Sequence, residues 1–222
     1  MTEQKNNSAI LVFSGGQDST TCLTWSKKHF QNVQALTFTY GQKHSIELDS
    51  AKKIAELTDT PLTIHQLDLF QKFQNNALIN HDKEITPPTA ETLPSTFVPG
   101  RNHFFLSIAA LYAYEAGIHD IVTGVCQTDY SGYPDCREEF IQNLEKTLST
   151  AMDYQFKIHT PLMHLTKAET VKMMDELGEL ALLEHTHTCY NGVRPACGTC
   201  PACKLRLKGF AEAGLTDPLS YE

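Results

Sequence analysis

Phe13-Ser14-Gly15-Gly16-Gln17-Asp18-Ser19-Thr20 follows directly on the apolar run Ala9-Ile10-Leu11-Val12. A continuous apolar run of this length reads as a buried strand. From Asp18 to Lys28 there is no Pro or Gly, so this segment is expected to be helical. Strand, glycine turn and helix start together present free backbone N–H groups and a positive dipole end to an anion. Gly15 and Gly16 let the backbone approach a phosphate with no Cβ in the way. Ser14, Ser19 and Thr20 add hydroxyl donors, and Asp18 is placed to hold a cation beside the phosphates. The expected phosphate-binding stretch is Phe13, Ser14, Gly15, Gly16, Gln17, Asp18, Ser19, Thr20, Thr21, Cys22 and Leu23. Its spacing is not G-x-x-x-x-G-K-[ST], so it is not a Walker A loop.

Other apolar runs alternate with helical segments. Strands are expected at 10–13, 33–39, 62–67, 120–125 and 156–159, and helices at 19–28, 45–57, 102–116, 138–152 and 167–177. Thr166 stands as the N-cap of the last helix and Gly178 ends it. This alternation predicts a parallel five-stranded sheet with helices on both faces. Ligands of such folds bind at the carboxyl ends of the strands, where the glycine turn lies. The stretch Phe70–Gly100 breaks the rhythm and contains Pro87, Pro88, Pro94 and Pro99. A loop of this length predicts a substrate lid or an oligomer contact, with a plain surface loop as the alternative.

The chain has 222 residues, 41% hydrophobic and 20% charged, which suits one domain with a substantial core or one domain plus an appendage. The expected division is 1–180, a nucleotide-binding α/β domain, and 181–222, a C-terminal zinc-binding helical segment packed on it, the two forming a single compact unit. No apolar stretch is long enough to span a bilayer. The polar start Met1–Asn7 does not read as a signal peptide, so a cytoplasmic protein is expected. A net charge of −8 disfavours strong nonspecific nucleic-acid binding, which depends on Lys and Arg.

Four of the seven cysteines, Cys189, Cys197, Cys200 and Cys203, crowd into one short C-terminal segment. In a cytosolic chain this spacing points to metal rather than disulfides. Four thiolates fill a tetrahedron and leave no open position, so a structural Zn²⁺ is expected. An iron–sulfur cluster held by the same four cysteines is the rival. His185 and His187 lie just upstream and are not needed as ligands.

The Ser14–Ser19 string resembles the SGGxDS signature of the PP-loop ATP pyrophosphatases. Further strings narrow the resemblance: Tyr40-Gly41-Gln42-Lys43-His44, Phe97-Val98-Pro99-Gly100-Arg101-Asn102, and Gly124 to Arg137 with its core Ser131-Gly132-Tyr133-Pro134-Asp135-Cys136-Arg137. With Cys189-Tyr190-Asn191-Gly192 and the later cysteines, the chain from about Ala9 to Phe210 resembles the 7-cyano-7-deazaguanine synthase family of queuosine biosynthesis. That family often has Arg where Lys43 stands.

The resemblance implies an ATP-dependent carbon–nitrogen ligase that turns 7-carboxy-7-deazaguanine and ammonia into 7-cyano-7-deazaguanine through an adenylated carboxylate and an amide. It implies ATP and Mg²⁺ as well as Zn²⁺, and a homodimer. Ser14, Gly15, Gly16, Ser19 and Thr20 are then expected to cradle the β and γ phosphates, with Asp18 positioning Mg²⁺. Arg101 is expected to bind the carboxylate or an α-phosphate oxygen, and Lys167 to stabilise charge at the α-phosphorus. Asp129 and Asp135 are candidates to accept the N–H groups of the base. Tyr130 and Tyr133 are candidates to stack on it, with Arg137 closing the substrate loop. Cys126 and Cys136 read as small buried residues, because adenylation needs no enzyme thiol. Two alternatives remain from sequence alone: a PP-loop tRNA-modifying ligase or thiolase, and a nucleotide-binding protein without turnover.

Overall fold

A computed structural model describes residues 7–40, 46–72, 93, 95–128 and 132–222. Five parallel strands, β1 (Ser8–Val12), β2 (Asn32–Thr39), β3 (Leu62–Gln66), β4 (Asp120–Val122) and β5 (Lys157–His159), form one sheet. Their order is β3-β2-β1-β4-β5. The helices are α1 (Gln17–His29), α2 (Ile46–Leu57), α3 (Arg101–Glu115), α4 (Glu138–Met152), α5 (Lys167–Glu176) and α6 (Pro201–Ala213).

The period-two alternation of the strands sorts their side chains onto two faces. Ile10, Leu36, Phe38, Ile121 and Ile158 pack with Leu106 and Ala110 of α3 and Ile141 and Leu144 of α4. Leu11, Phe13, Ala35 and Val122 point the other way, into a cluster with Leu23 of α1, Ile54 of α2, Val171 of α5 and Phe210 of α6. The sheet is therefore covered on both faces, as its near-continuous apolar strands require. Leu183 and Phe210 lie in the same cluster as Leu11. Residues before and after position 180 thus share one core.

The elements match the sequence reading to within a few residues. Thr166 caps α5 in a full capping box: its side chain accepts from the Glu169 amide, and Glu169 bonds back. β4 stops at Val122, three residues earlier than expected. At Gly124 a Cβ would lie 3.1 Å from the Asp18 carbonyl carbon and 3.2 Å from the Ser19 nitrogen. The chain there leaves the sheet to run against the start of α1.

This order creates a switch point between β1 and β4. From β1 the chain builds outward through β2 and β3; it then returns to the other side of β1 for β4 and β5. The loops after β1 and β4 diverge there and open the crevice where α/β folds bind ligands.

Candidate active site

The loop after β1 is an anion cradle built from backbone. Gly16 is the N-cap of α1, and no side chain caps that end. The orphan N–H groups of the first turn are left for an external acceptor. Gly15 has φ +78°, and a Cβ there would stand 2.5 Å from the Ala51 nitrogen of α2. Thr37 of β2 donates to the Phe13 carbonyl at 2.7 Å, fixing the point where strand becomes loop.

The hydroxyls of the loop mainly hold its shape. Ser19 and Thr20 donate to the Gly16 carbonyl at 3.1 and 2.9 Å. The Ser14 amide donates to Ser19 Oγ at 3.2 Å. Gln17 is buried, yet among the described residues neither its Nε2 nor its Oε1 has a hydrogen-bond partner. An unpaired buried amide costs about 1–3 kcal/mol; the groups the cradle offers to a ligand are the uncapped backbone amides at the start of α1. These features fit a polyphosphate. Phe13, Thr21, Cys22 and Leu23 have almost no exposure; their side chains support the cradle from behind.

Asp18 and Lys167 meet here from opposite ends of the chain. Lys167 Nζ lies 2.9 and 2.8 Å from the two Asp18 carboxylate oxygens. The capping box sets the direction of α5, and Lys167 is its first residue. The lysine is largely buried and Asp18 about one-third exposed, so the pair lines the mouth of the cradle.

Arg101 opens α3 and forms a second charged centre. Its Nη1 lies 3.4 Å from Tyr40 Oη, and its guanidinium stands 5.9 Å from the Tyr133 ring centre. Burial works against the cation, but Tyr40, Tyr133 and Asp135 around it outweigh that and raise its pKa. Burial also raises the Glu47 carboxyl, against the opposing pull of Arg101. Glu47 belongs to the first turn of α2, and its carbonyl oxygen would be 2.9 Å from a Cβ on Gly15. The first turn of α2 therefore connects the phosphate cradle with Arg101. Sequence reading assigned no role to Tyr40 or Glu47. The signal available was the proximity of Glu47 to the Tyr40–His44 string.

Of the expected substrate loop, Asp129 and Tyr130 lie outside the described residues, as does Lys43. Asp135 is buried, and its Oδ2 accepts the Asn102 amide at 3.0 Å. That bond fixes the start of α3 and hence Arg101. Tyr133 donates or accepts at Thr96 Oγ1, 2.6 Å away, and stacks on Phe97 with centroids 5.7 Å apart. Arg137 is exposed at the N-cap of α4. Of the Phe70–Gly100 stretch, residues 73–92 and 94 lie outside the described residues, but Thr96 and Phe97 line this centre.

The four cysteine sulfurs, Cys189, Cys197, Cys200 and Cys203, all lie within 4.8 Å of one another. None is in a disulfide. The Cys200 amide points at Cys197 Sγ and the Cys203 amide at Cys200 Sγ. Burial raises the Cys197 thiol, but hydrogen bonds from Thr199 and the Cys200 amide overcome it and leave it at about 6. Burial pushes the Cys203 thiol up, so it is the geometry that points to a metal: four convergent sulfurs at this spacing fit one metal ion. The His187 amide donates to the Gly15 carbonyl at 3.1 Å. The segment entering the cysteine cluster is thereby bonded to the phosphate cradle.

The family model described as "Queuosine biosynthesis protein QueC" matches residues 8–214. The chain belongs to this family. Relatives match it over nearly its whole length. A 7-cyano-7-deazaguanine synthase from Chromobacterium violaceum is 51% identical and covers 99% of this chain and 95% of its own. One from Bacteroides fragilis is 54% identical over 94% of this chain and 96% of its own. Among solved structures, the U34-tRNA thiolase NcsA from Methanococcus maripaludis superposes with a TM-score of 0.52 at 14% identity. The superposition covers 94% of this chain and 66% of that one. It establishes a shared fold and nothing further. Among the described residues, no helix is long and apolar enough to cross a membrane.

Proposed function

We propose that the chain is an ATP-dependent ligase making 7-cyano-7-deazaguanine from 7-carboxy-7-deazaguanine and ammonia. The observation that carries this reading is the nearly full-length match to 7-cyano-7-deazaguanine synthases. The uncapped cradle at the β1–β4 switch supplies the matching chemistry. A carboxylate is a poor electrophile. Attack of its oxygen on the α-phosphorus of ATP expels pyrophosphate and leaves an acyl adenylate. Ammonia then adds at the acyl carbon, AMP leaves, and one proton is lost to give the amide. A second adenylation, on the amide oxygen, lets AMP depart with both nitrogen protons lost, leaving the nitrile.

In this reading the α1 amides hold the β and γ phosphates, and Asp18 carries the Mg²⁺ that neutralises phosphate charge. Lys167 stabilises charge at the α-phosphorus. Arg101 binds the substrate carboxylate, with Tyr133, Asp135, Arg137 and the Asp129–Tyr130 segment around the base. The cysteine set holds one Zn²⁺ in a structural role, because four sulfurs this close suit a single ion better than a four-iron cube. Seven cysteines outside any disulfide suit the cytoplasm.

Incubation with Mg-ATP, ammonium and 7-carboxy-7-deazaguanine, read by mass spectrometry and nucleotide chromatography, tests the reading. The expected result is the nitrile with two AMP per nitrile. Nitrile accompanied by ADP would keep the product but refute α-phosphorus attack. No nitrile from folded, metal-loaded protein would refute the function.

A homodimer through α3 belongs to the same proposal. Leu111 is 54% exposed and Tyr114 48%, with Phe104 on the same helix at 37%. Their opposite face is already in the core, and a helix apolar on all sides is expected to be covered on all sides. Leu111→Glu is expected to raise the dimer dissociation constant at least about thirty-fold, the loss of one hot-spot contact. Sedimentation velocity across a concentration series reads this directly; an unchanged profile would remove α3 from the interface.

A further inference from the structure

Gly209 lies inside α6, where glycine destabilises a helix by roughly 1 kcal/mol relative to alanine. Its φ is not among the positive ones, so its backbone does not require glycine. What it lacks is room. A Cβ at Gly209 would stand 2.5 Å from Lys167 Cγ, 3.0 Å from Lys167 Cβ and 3.2 Å from the Lys167 carbonyl carbon. The first turn of α5 therefore sits in a notch on α6, and the lysine stem runs through it.

The far end of that stem is the ammonium bonded to both oxygens of Asp18. The helix bearing the notch is itself held firmly. It is capped by Cys200, with Cys203 in its first turn. One turn further, buried Arg206 donates to Thr186 Oγ1 at 2.6 Å, to the Leu183 carbonyl at 3.0 Å, and to both carboxylate oxygens of Asp217 at 2.7 Å. A notch in a clamped helix is a rigid guide.

We infer that Gly209 is a positioning residue, whose missing side chain directs the Lys167 ammonium onto Asp18 at the mouth of the phosphate cradle. The consequence for turnover rests on the catalytic reading of Lys167 given above; the placement of the ammonium does not.

Two readouts on Gly209→Ala separate these. The first is the acylation rate of Lys167 by N-hydroxysuccinimidyl acetate in the ligand-free, metal-loaded protein, followed by peptide mass spectrometry with exposed Lys146 as internal standard. A largely buried, ion-paired lysine reacts slowly, so the added methyl is expected to speed acylation of Lys167 at least about three-fold. The second is turnover. A misplacement of order 1 Å costs up to about 100-fold, so kcat is expected to fall about ten- to a hundred-fold with KM for ATP changed less than about three-fold. Faster acylation with unchanged kcat keeps the notch and removes Lys167 from the chemistry. Unchanged acylation overturns the inference. If Gly209→Ala does not fold, the pair Gly209→Ala with Lys167→Gly moves the empty space to the other helix and is expected to restore the melting transition. A pair that stays unfolded overturns the inference as well.

Discussion

A Cys203→Ser protein is expected to purify without bound metal and to melt roughly 10–20 °C below the parent. Cys203 is 1% exposed and supplies one of four convergent sulfurs. A structural Zn²⁺ site contributes on the order of 10 kcal/mol in isolated peptides. Here Arg206, Asp217 and Phe210 also hold the segment, so the net loss is taken as about 5 kcal/mol. At about 2–4 °C per kcal/mol for a chain of this size, the melting shift follows. Differential scanning calorimetry with elemental analysis provides the check; full metal content or an unshifted transition would refute a structural centre. The His187–Gly15 bond extends the effect to the phosphate loop. Where the variant stays folded in the cold, its affinity for Mg-ATP is expected to fall about ten-fold, the equivalent of one hydrogen bond of about 1–1.5 kcal/mol.

Gly15→Ala is expected to abolish Mg-ATP binding, raising its dissociation constant at least about a hundred-fold. Two costs combine. The left-handed conformation costs a residue with a Cβ roughly 1–2 kcal/mol. The new atom would also lie 2.5 Å from the Ala51 nitrogen and 2.9 Å from its Cα. These are backbone atoms of α2 and cannot swing aside, so the cradle must move. Gly117 isolates the first cost: it has φ +66°, and a Cβ there would meet nothing within 4 Å. Gly117→Ala is therefore expected to lose about 1 kcal/mol of stability and no ATP affinity. Calorimetric titration of the two variants separates strain from obstruction. Equal ATP affinity in both would show that the cradle tolerates displacement.

The strand–turn–helix at Ala9–Lys28, the N-cap Thr166 and the four-cysteine set were legible in the sequence. Each depends on residues close along the chain: an apolar run, a glycine pair, a cap three residues from its partner, and thiols spaced for one ion. The end of β4 was not legible, because it depends on Gly124 meeting the backbone of Asp18 and Ser19 across the sheet. Lys167 could be named as a candidate, but its contact with Asp18 spans 149 residues of sequence. Only the tertiary fold, which packs α5 against α1, brings the two together. Glu47 beside Arg101, the empty space at Gly209 and the unpartnered carboxamide of Gln17 belong to the same class. Local conformation follows from the few neighbouring side chains and backbone sterics. Which distant groups share a site is decided by how the two apolar faces of the sheet choose their covering helices, and that choice is made by the packing of the whole chain.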